Sequence, residues 1–189
     1  MRILLLCEPR SGSTNLANWF LSNKNFTVLF EPISNPNTKW YKNGTHPNEW
    51  TYDTKNLLVK EVFNNISDFN ELIDISDKII CLYRENGVKQ MESYYNAVKT
   101  KNWHTFWAPK KDKLIINEQQ ILFFENLKNK FRENYLSSEK YFKISYEELY
   151  FQNGFQKIVD YLKLDCVKNI KFPIGNKYRI YVDKSKSLI

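Results

Sequence analysis

The sequence predicts a three-layer α/β domain, with a mostly parallel central sheet covered by helices on both faces. Three observations predict it. Short continuous apolar runs of strand length recur along the chain, as buried parallel strands require. Segments with apolar residues at i, i+3 and i+4 separate them. The 189 residues suit a single domain, 1–189, rather than two.

Residues 2–7 (RILLLC) form the first run, and the helix after them carries Leu16, Trp19 and Phe20 on one face. Residues 26–30 (FTVLF) and 56–60 (NLLVK) are further strands. Ser67 is placed to cap a helix bearing Phe69, Leu72 and Ile73. Residues 78–83 (KIICLY) are another strand, followed by a helix with Val88, Met91, Tyr95 and Val98 at helical spacing. A long helix covers about 117–135, with Ile121, Phe124, Leu127 and Phe131 as its buried stripe. Residues 140–145 (KYFKIS) are the last strand, and Phe155, Ile158, Val159 and Leu162 mark a helix over about 154–163.

Two stretches interrupt the alternation. Residues 32–55 are rich in Asn, Pro, Thr, Tyr and Trp, and residues 104–116 carry Trp107, Pro109 and three lysines. Connections this long inside a compact domain are usually functional or disordered, and both are placed to be lids or acceptor walls.

The net charge of +7 attracts anions: nucleic acid, anionic lipid or a small polyphosphorylated ligand. The positive charges are scattered and no nucleic-acid-binding motif appears, so nucleic acid is not the expected partner. Cys7, Cys81 and Cys166 lack metal-ligand spacing and are expected as buried free thiols in a reducing compartment. The apolar run Ile3–Cys7 is too short for a signal peptide, and no stretch reaches a membrane span of roughly 20 residues. A cytoplasmic protein without membrane insertion is the expectation.

The first strand runs into Glu8-Pro9-Arg10-Ser11-Gly12-Ser13-Thr14-Asn15 and then into a helix. Strand, tight loop and helix N-terminus together aim backbone N–H groups at an anion. Gly12 permits close backbone approach, and Ser11, Ser13 and Thr14 carry hydroxyl donors. Against the nucleotide-triphosphatase pattern G-x-x-x-x-G-K-[ST], Cys7 replaces the first glycine and Ser13 the lysine. The start is P-loop-like, with its positive charge moved to Arg10. A second anion half-site is readable at the end of strand 78–83. There Arg84 is followed by a helix carrying Ser93, a charged fork and a hydroxyl able to converge on one phosphate.

Pro9-Arg10-Ser11-Gly12-Ser13-Thr14 resembles the 5′-phosphosulfate loop of sulfotransferases that use 3′-phosphoadenosine 5′-phosphosulfate (PAPS). Arg84 and Ser93 resemble that family's 3′-phosphate motif. The run Leu82-Tyr83-Arg84 … Gln90-Met91-Glu92-Ser93 … Ala97-Val98-Lys99-Thr100 … Trp103-His104 is similar to its bacterial trehalose-type branch, except that Glu85 stands where that branch often has a second arginine. Ile144-Ser145-Tyr146-Glu147-Glu148-Leu149 resembles a further, structural element of the family. The resemblance covers roughly residues 2–165 and leaves 166–189 weakly matched. It implies that Arg10, Ser11, Gly12, Ser13, Thr14, Asn15, Arg84 and Ser93 bind PAPS, with product PAP and no metal. It also implies an acceptor hydroxyl on a small molecule or glycan, with the trehalose-type branch pointing to a carbohydrate or glycolipid.

Sulfuryl transfer places demands like those of phosphoryl transfer: positioning, charge stabilisation and a base for the acceptor proton. Glu31, in Phe30-Glu31-Pro32 at a strand end, is the expected base, in a context like that of the family's proposed base. Glu61, beside Lys60, is the second choice. Lys60 resembles the family's sulfate-contacting lysine, so Arg10 and Lys60 are expected to flank the transferred group. His46 and His104 are the only histidines and are not assigned to the chemistry. The rival readings are a P-loop kinase or nucleoside triphosphatase, a nucleic-acid-binding module, and a relative that binds PAP or PAPS without catalysis.

Overall fold

The computed structural model describes residues 1–22, 26–34, 56–101, 103 and 115–164. His46, His104, Cys166 and most of both irregular stretches lie outside these residues. The strands are β1 (Arg2–Cys7), β2 (Thr27–Phe30), β3 (Leu57–Val62), β4 (Lys78–Tyr83) and β5 (Phe142–Ser145). They form one sheet in the order β2-β3-β1-β4-β5, and every pairing is parallel. The helices are α1 (Ser13–Ser22), α2 (Asn70–Ile75), α3 (Gly87–Thr100), α4 (Glu118–Phe131), α5 (Tyr146–Phe151) and α6 (Gly154–Leu162).

Side chains alternate across a strand, and β1, at the centre, is buried on both faces. Ile3, Leu5 and Cys7 join a core with Leu16 and Phe20 of α1 and with Phe155, Ile158 and Val159 of α6. Leu4 and Leu6 face the other way, into a core with Leu72 of α2 and with Leu127 and Phe131 of α4. Helices thus cover both faces. Tyr94 and Tyr95 of α3 pack on Phe124 of α4, and the Tyr95 hydroxyl donates to the Gln120 carbonyl (2.6 Å). Among the described residues, no helix is long and apolar enough to cross a membrane.

Several local expectations need correction. Ser67 does not cap α2: its amide donates to the Asn64 side chain and its hydroxyl accepts from it, and α2 begins three residues later. The buried positions of α3 are Gln90, Tyr95 and Ala97, while Val88 and Val98 are exposed. The helix expected over 117–135 is α4, capped by an Asn117–Gln120 box, followed by a π turn over Arg132–Leu136. The short helix α5 between β5 and α6 was not expected. It packs so tightly on α6 that a Cβ on Gly154 would lie 2.6 Å from the Leu149 Cα.

The carboxyl ends of the strands place the chemistry-bearing residues. Glu8 follows β1, Glu31 follows β2, Arg84 follows β4 and Tyr146 follows β5. Ligands of open parallel sheets bind at this rim.

Candidate functional site

A cleft of about 510 Å³ opens at the rim. Its polar lining includes Arg10, Thr14, Glu31, Lys60, Arg84 and Ser93. These residues come from five separate chain segments, and the fold brings all of them to one place. Gly12, Ser13 and Asn15 line it too.

The loop between β1 and α1 is locked from below. Ser11 is buried, and both its amide (3.3 Å) and its hydroxyl (2.7 Å) donate to the Glu8 carbonyl. Its hydroxyl therefore supports the loop and does not line the cleft. Arg10 and Gly12 have left-handed backbones, at φ 60° and 82°. At Gly12 a Cβ would also lie 2.8–2.9 Å from the rings of Tyr146 and Tyr150, so the position has room for glycine alone. Among the described residues, no acceptor takes the amides of Gly12, Ser13 and Thr14. Open N–H groups at the start of a helix are suited to an anion.

The two arginines stand close together. Arg10 Nε donates to Ser93 Oγ (3.0 Å), its Nη1 donates to the Trp103 carbonyl (2.7 Å), and Arg84 Nη1 reaches the Arg10 carbonyl (3.4 Å). Among the described residues, Arg84 Nε is buried without a hydrogen-bond partner, 3.8 Å from Glu147 Oε1. Its guanidinium lies over the Tyr146 ring, 4.6 Å from the centroid. A charge-bearing donor that is buried and unsatisfied is costly in the free protein and fits an arriving anion.

On the other side of the loop, the Lys60 ammonium pairs with the Glu31 carboxylate. Phe30 and Lys60 are register partners in β2 and β3, and the Glu31 amide donates to the Lys60 carbonyl (2.6 Å). Glu31 has a left-handed backbone (φ 54°), which turns the chain directly after β2. Glu61, the second choice for the base, points away. It is fully buried, and its carboxylate accepts from the Ile33 amide (2.7 Å), the Ser34 amide (3.0 Å) and the Ser34 hydroxyl (2.6 Å). Glu61 anchors the turn after Glu31, whereas Glu31 faces the cleft. Burial raises the Glu61 pKa, with the Ser34 hydrogen bond opposing it. Burial likewise pushes the Cys7 thiol up to about 12, with the Lys60 charge and then the Ser13 hydroxyl opposing. Cys7 and Cys81 are buried free thiols.

Sequence reasoning passed over a buried polar frame behind the arginines. Glu8 is fully buried. Its Oε2 accepts from the Arg84 amide (3.0 Å) and from Gln90 Nε2 (3.0 Å). Lys128 of α4 donates to Gln90 Oε1 (2.7 Å) and to the Arg84 carbonyl (2.9 Å), and lies 3.8 Å from Glu8. Burial raises the Glu8 pKa and lowers that of Lys128, and the attraction between them opposes both shifts. The signal for Glu8 was a carboxylate directly after an apolar strand. For Lys128 there was none, because a lysine between helix-face positions normally points to water.

Helix α5 also reaches the site. The Tyr150 hydroxyl donates to the Gly12 carbonyl (2.8 Å). Glu147 accepts from the amides of Glu85 (3.0 Å) and Asn86 (3.2 Å). Phe63, Ile66, Phe123 and Leu127 contribute apolar lining to the cleft.

Compared with known proteins, the chain matches no family model and no curated protein sequence. The site therefore rests on its own geometry. Among the described residues, no three His, Cys, Asp or Glu side chains gather as a metal site would require.

Proposed function

We propose that this protein is a P-loop-like sulfotransferase that moves the sulfuryl group of PAPS to the hydroxyl of an acceptor. The observation that carries the reading is the convergence, in one cleft, of two anion half-sites and a lysine–glutamate pair. The loop after β1 supplies open amides, and the same cleft holds Arg84, which follows β4, and Ser93, which accepts from Arg10. This donor set suits a nucleotide with phosphates at both 3′ and 5′ positions.

PAPS, when bound, supplies the activated sulfuryl group. The protein's own residues do the rest. Glu31 accepts the acceptor's hydroxyl proton, a role open to it because it lines the cleft. Lys60 and Arg10 place positive charge where negative charge grows during transfer. The acceptor is a small molecule or glycan, and the trehalose-type resemblance favours a carbohydrate or glycolipid.

The kinase reading lacks support at the residues it needs: Ser13 holds the lysine position of the triphosphatase loop, and Arg84, not an acidic residue, follows β4. Calorimetric titration with PAP, with ADP and with ATP plus Mg²⁺ separates the readings. The expected result is tight PAP binding, weak ADP binding and loss of PAP affinity in Arg84→Ala. Binding of ATP with Mg²⁺ but not PAP would replace this reading with the kinase. A protein that binds PAP but transfers nothing from PAPS to a panel of sugars and phenols would be the non-catalytic relative.

A further inference from the structure

Helix α5 is only six residues long, yet it touches both anion half-sites. At one, the Tyr150 hydroxyl donates to the carbonyl of Gly12 (2.8 Å), and the rings of Tyr146 and Tyr150 fill the space beside Gly12. At the other, Glu147 receives the amides of Glu85 and Asn86, and its carboxylate stands 3.8 Å from Arg84 Nε. Each half-site also has its own strand and helix, β1 with α1 and β4 with α3. A third element fastened to both is not needed to build either one.

We infer that α5 is a spacer that fixes the distance between the two half-sites, and that Tyr150 and Glu147 are the positioning residues through which it acts. This role presupposes the two-phosphate nucleotide site proposed above. A ligand with two anionic groups gains from two sites only when their separation matches its own, because the second group then binds at high effective concentration. A rigid spacer supplies that match in advance and removes the ordering cost from binding. The predicted consequence is selective. Loosening α5 harms ligands that bridge both half-sites and spares ligands that occupy one.

Three probes make the test: PAP, which carries both phosphates, 5′-AMP and 3′-AMP. Their affinities are measured by calorimetry for the wild-type chain, Tyr150→Phe and Glu147→Gln, with far-UV circular dichroism to establish folding. Glu147→Asp, too short to reach both amides, serves as a second variant at that position. The expected result is a loss of PAP affinity of tenfold or more in each variant, with both monophosphates within twofold of wild type. Parallel losses overturn the spacer: Tyr150→Phe weakening 5′-AMP as much as PAP, or Glu147→Gln weakening 3′-AMP as much as PAP, would make each residue a local support. Unchanged or tighter PAP binding overturns it too, since tighter binding would mean that Glu147 acts through charge repulsion. A wild-type chain that binds no PAP removes the nucleotide site itself, a result distinct from parallel losses in a chain that does.

Discussion

Glu31 and Lys60 form an ion pair across neighbouring strands, and the two ends of the pair differ in burial. The lysine side chain is 2% exposed and the glutamate 18%. Glu31→Gln leaves an ammonium buried without its counter-charge, whereas Lys60→Met removes the charge and keeps the stem. Breaking a buried pair costs about 3–5 kcal/mol, and the partial exposure of Glu31 places this one towards or below the lower figure. Chemical denaturation should find Glu31→Gln less stable than Lys60→Met. The reverse order would mean that another group balances Lys60.

Transfer from PAPS should slow about 10²–10³-fold in Lys60→Ala and Arg10→Ala, the usual effect of deleting a charge that stabilises a transition state. Single-turnover rates on folded variants measure it. A wild-type rate in either variant removes that residue from the mechanism.

Gly12→Ala should lose PAP binding and also stability. A left-handed backbone costs a residue with a Cβ roughly 1–2 kcal/mol. The added methyl also meets Tyr146 and Tyr150 at 2.8–2.9 Å, so the loop or α5 must move. Thermal unfolding with and without PAP separates the two losses. An alanine variant that retains PAP affinity would show that the amide cradle tolerates the shift.

Lys128→Met should be among the most destabilising single changes away from the hydrophobic core. It removes one of two cations beside the fully buried Glu8 carboxylate, leaving Arg132 Nε at 3.9 Å, and frees the Arg84 carbonyl. Breaking a buried pair costs about 3–5 kcal/mol, and the remaining Arg132 charge places this loss towards or below the lower figure. The double variant Glu8→Gln, Lys128→Met should recover part of it, because the buried charge is then gone. An additive double variant in urea denaturation would mean that the two charges do not interact.

Asp77 and Glu8 should pull the pH dependence of stability in opposite directions. The Arg2 amide (2.7 Å) and then the Arg2 charge hold Asp77 below its usual 3.8. Its contribution is present above that pH and is lost as pH falls through the folded value. Glu8 is raised above 4.5 by burial, so the folded state holds its proton more tightly than the unfolded chain. Stability from this group is greatest below 4.5 and declines as pH rises through the folded value. Denaturation across the acid range should show a flatter acid limb in Asp77→Asn and a smaller decline above pH 4.5 in Glu8→Gln. The opposite change in either variant would reverse its assignment.

The five strands were legible because each is a short apolar run buried on one or both faces, and β1 to β5 stand where those runs predicted them. The candidate site residues were legible where loop chemistry marked them, as at Gly12, or where a charge ended a strand, as at Glu31 and Arg84. What was not legible depended on tertiary burial. Ser11 and Ser13 are the same residue type two positions apart, yet only Ser13 lines the cleft. Glu31 and Glu61 are both carboxylates near Lys60, and only the packing of the turn at Ile33 and Ser34 assigns them different tasks. Helix α5 was hidden because Tyr146 and Tyr150 pack on Gly12, more than 130 positions earlier, and no local pattern records such a partner.

The hydrogen bond from Tyr150 to Gly12 spans 138 positions of sequence. On a ribosome adding about 5–20 residues per second, the loop after β1 waits roughly 7–28 s for its partner to be made. During that interval the central strand has emerged while the element that braces its loop has not. Bracing of this loop is therefore a late event in synthesis, and a product truncated before residue 150 lacks the hydroxyl that holds the Gly12 carbonyl.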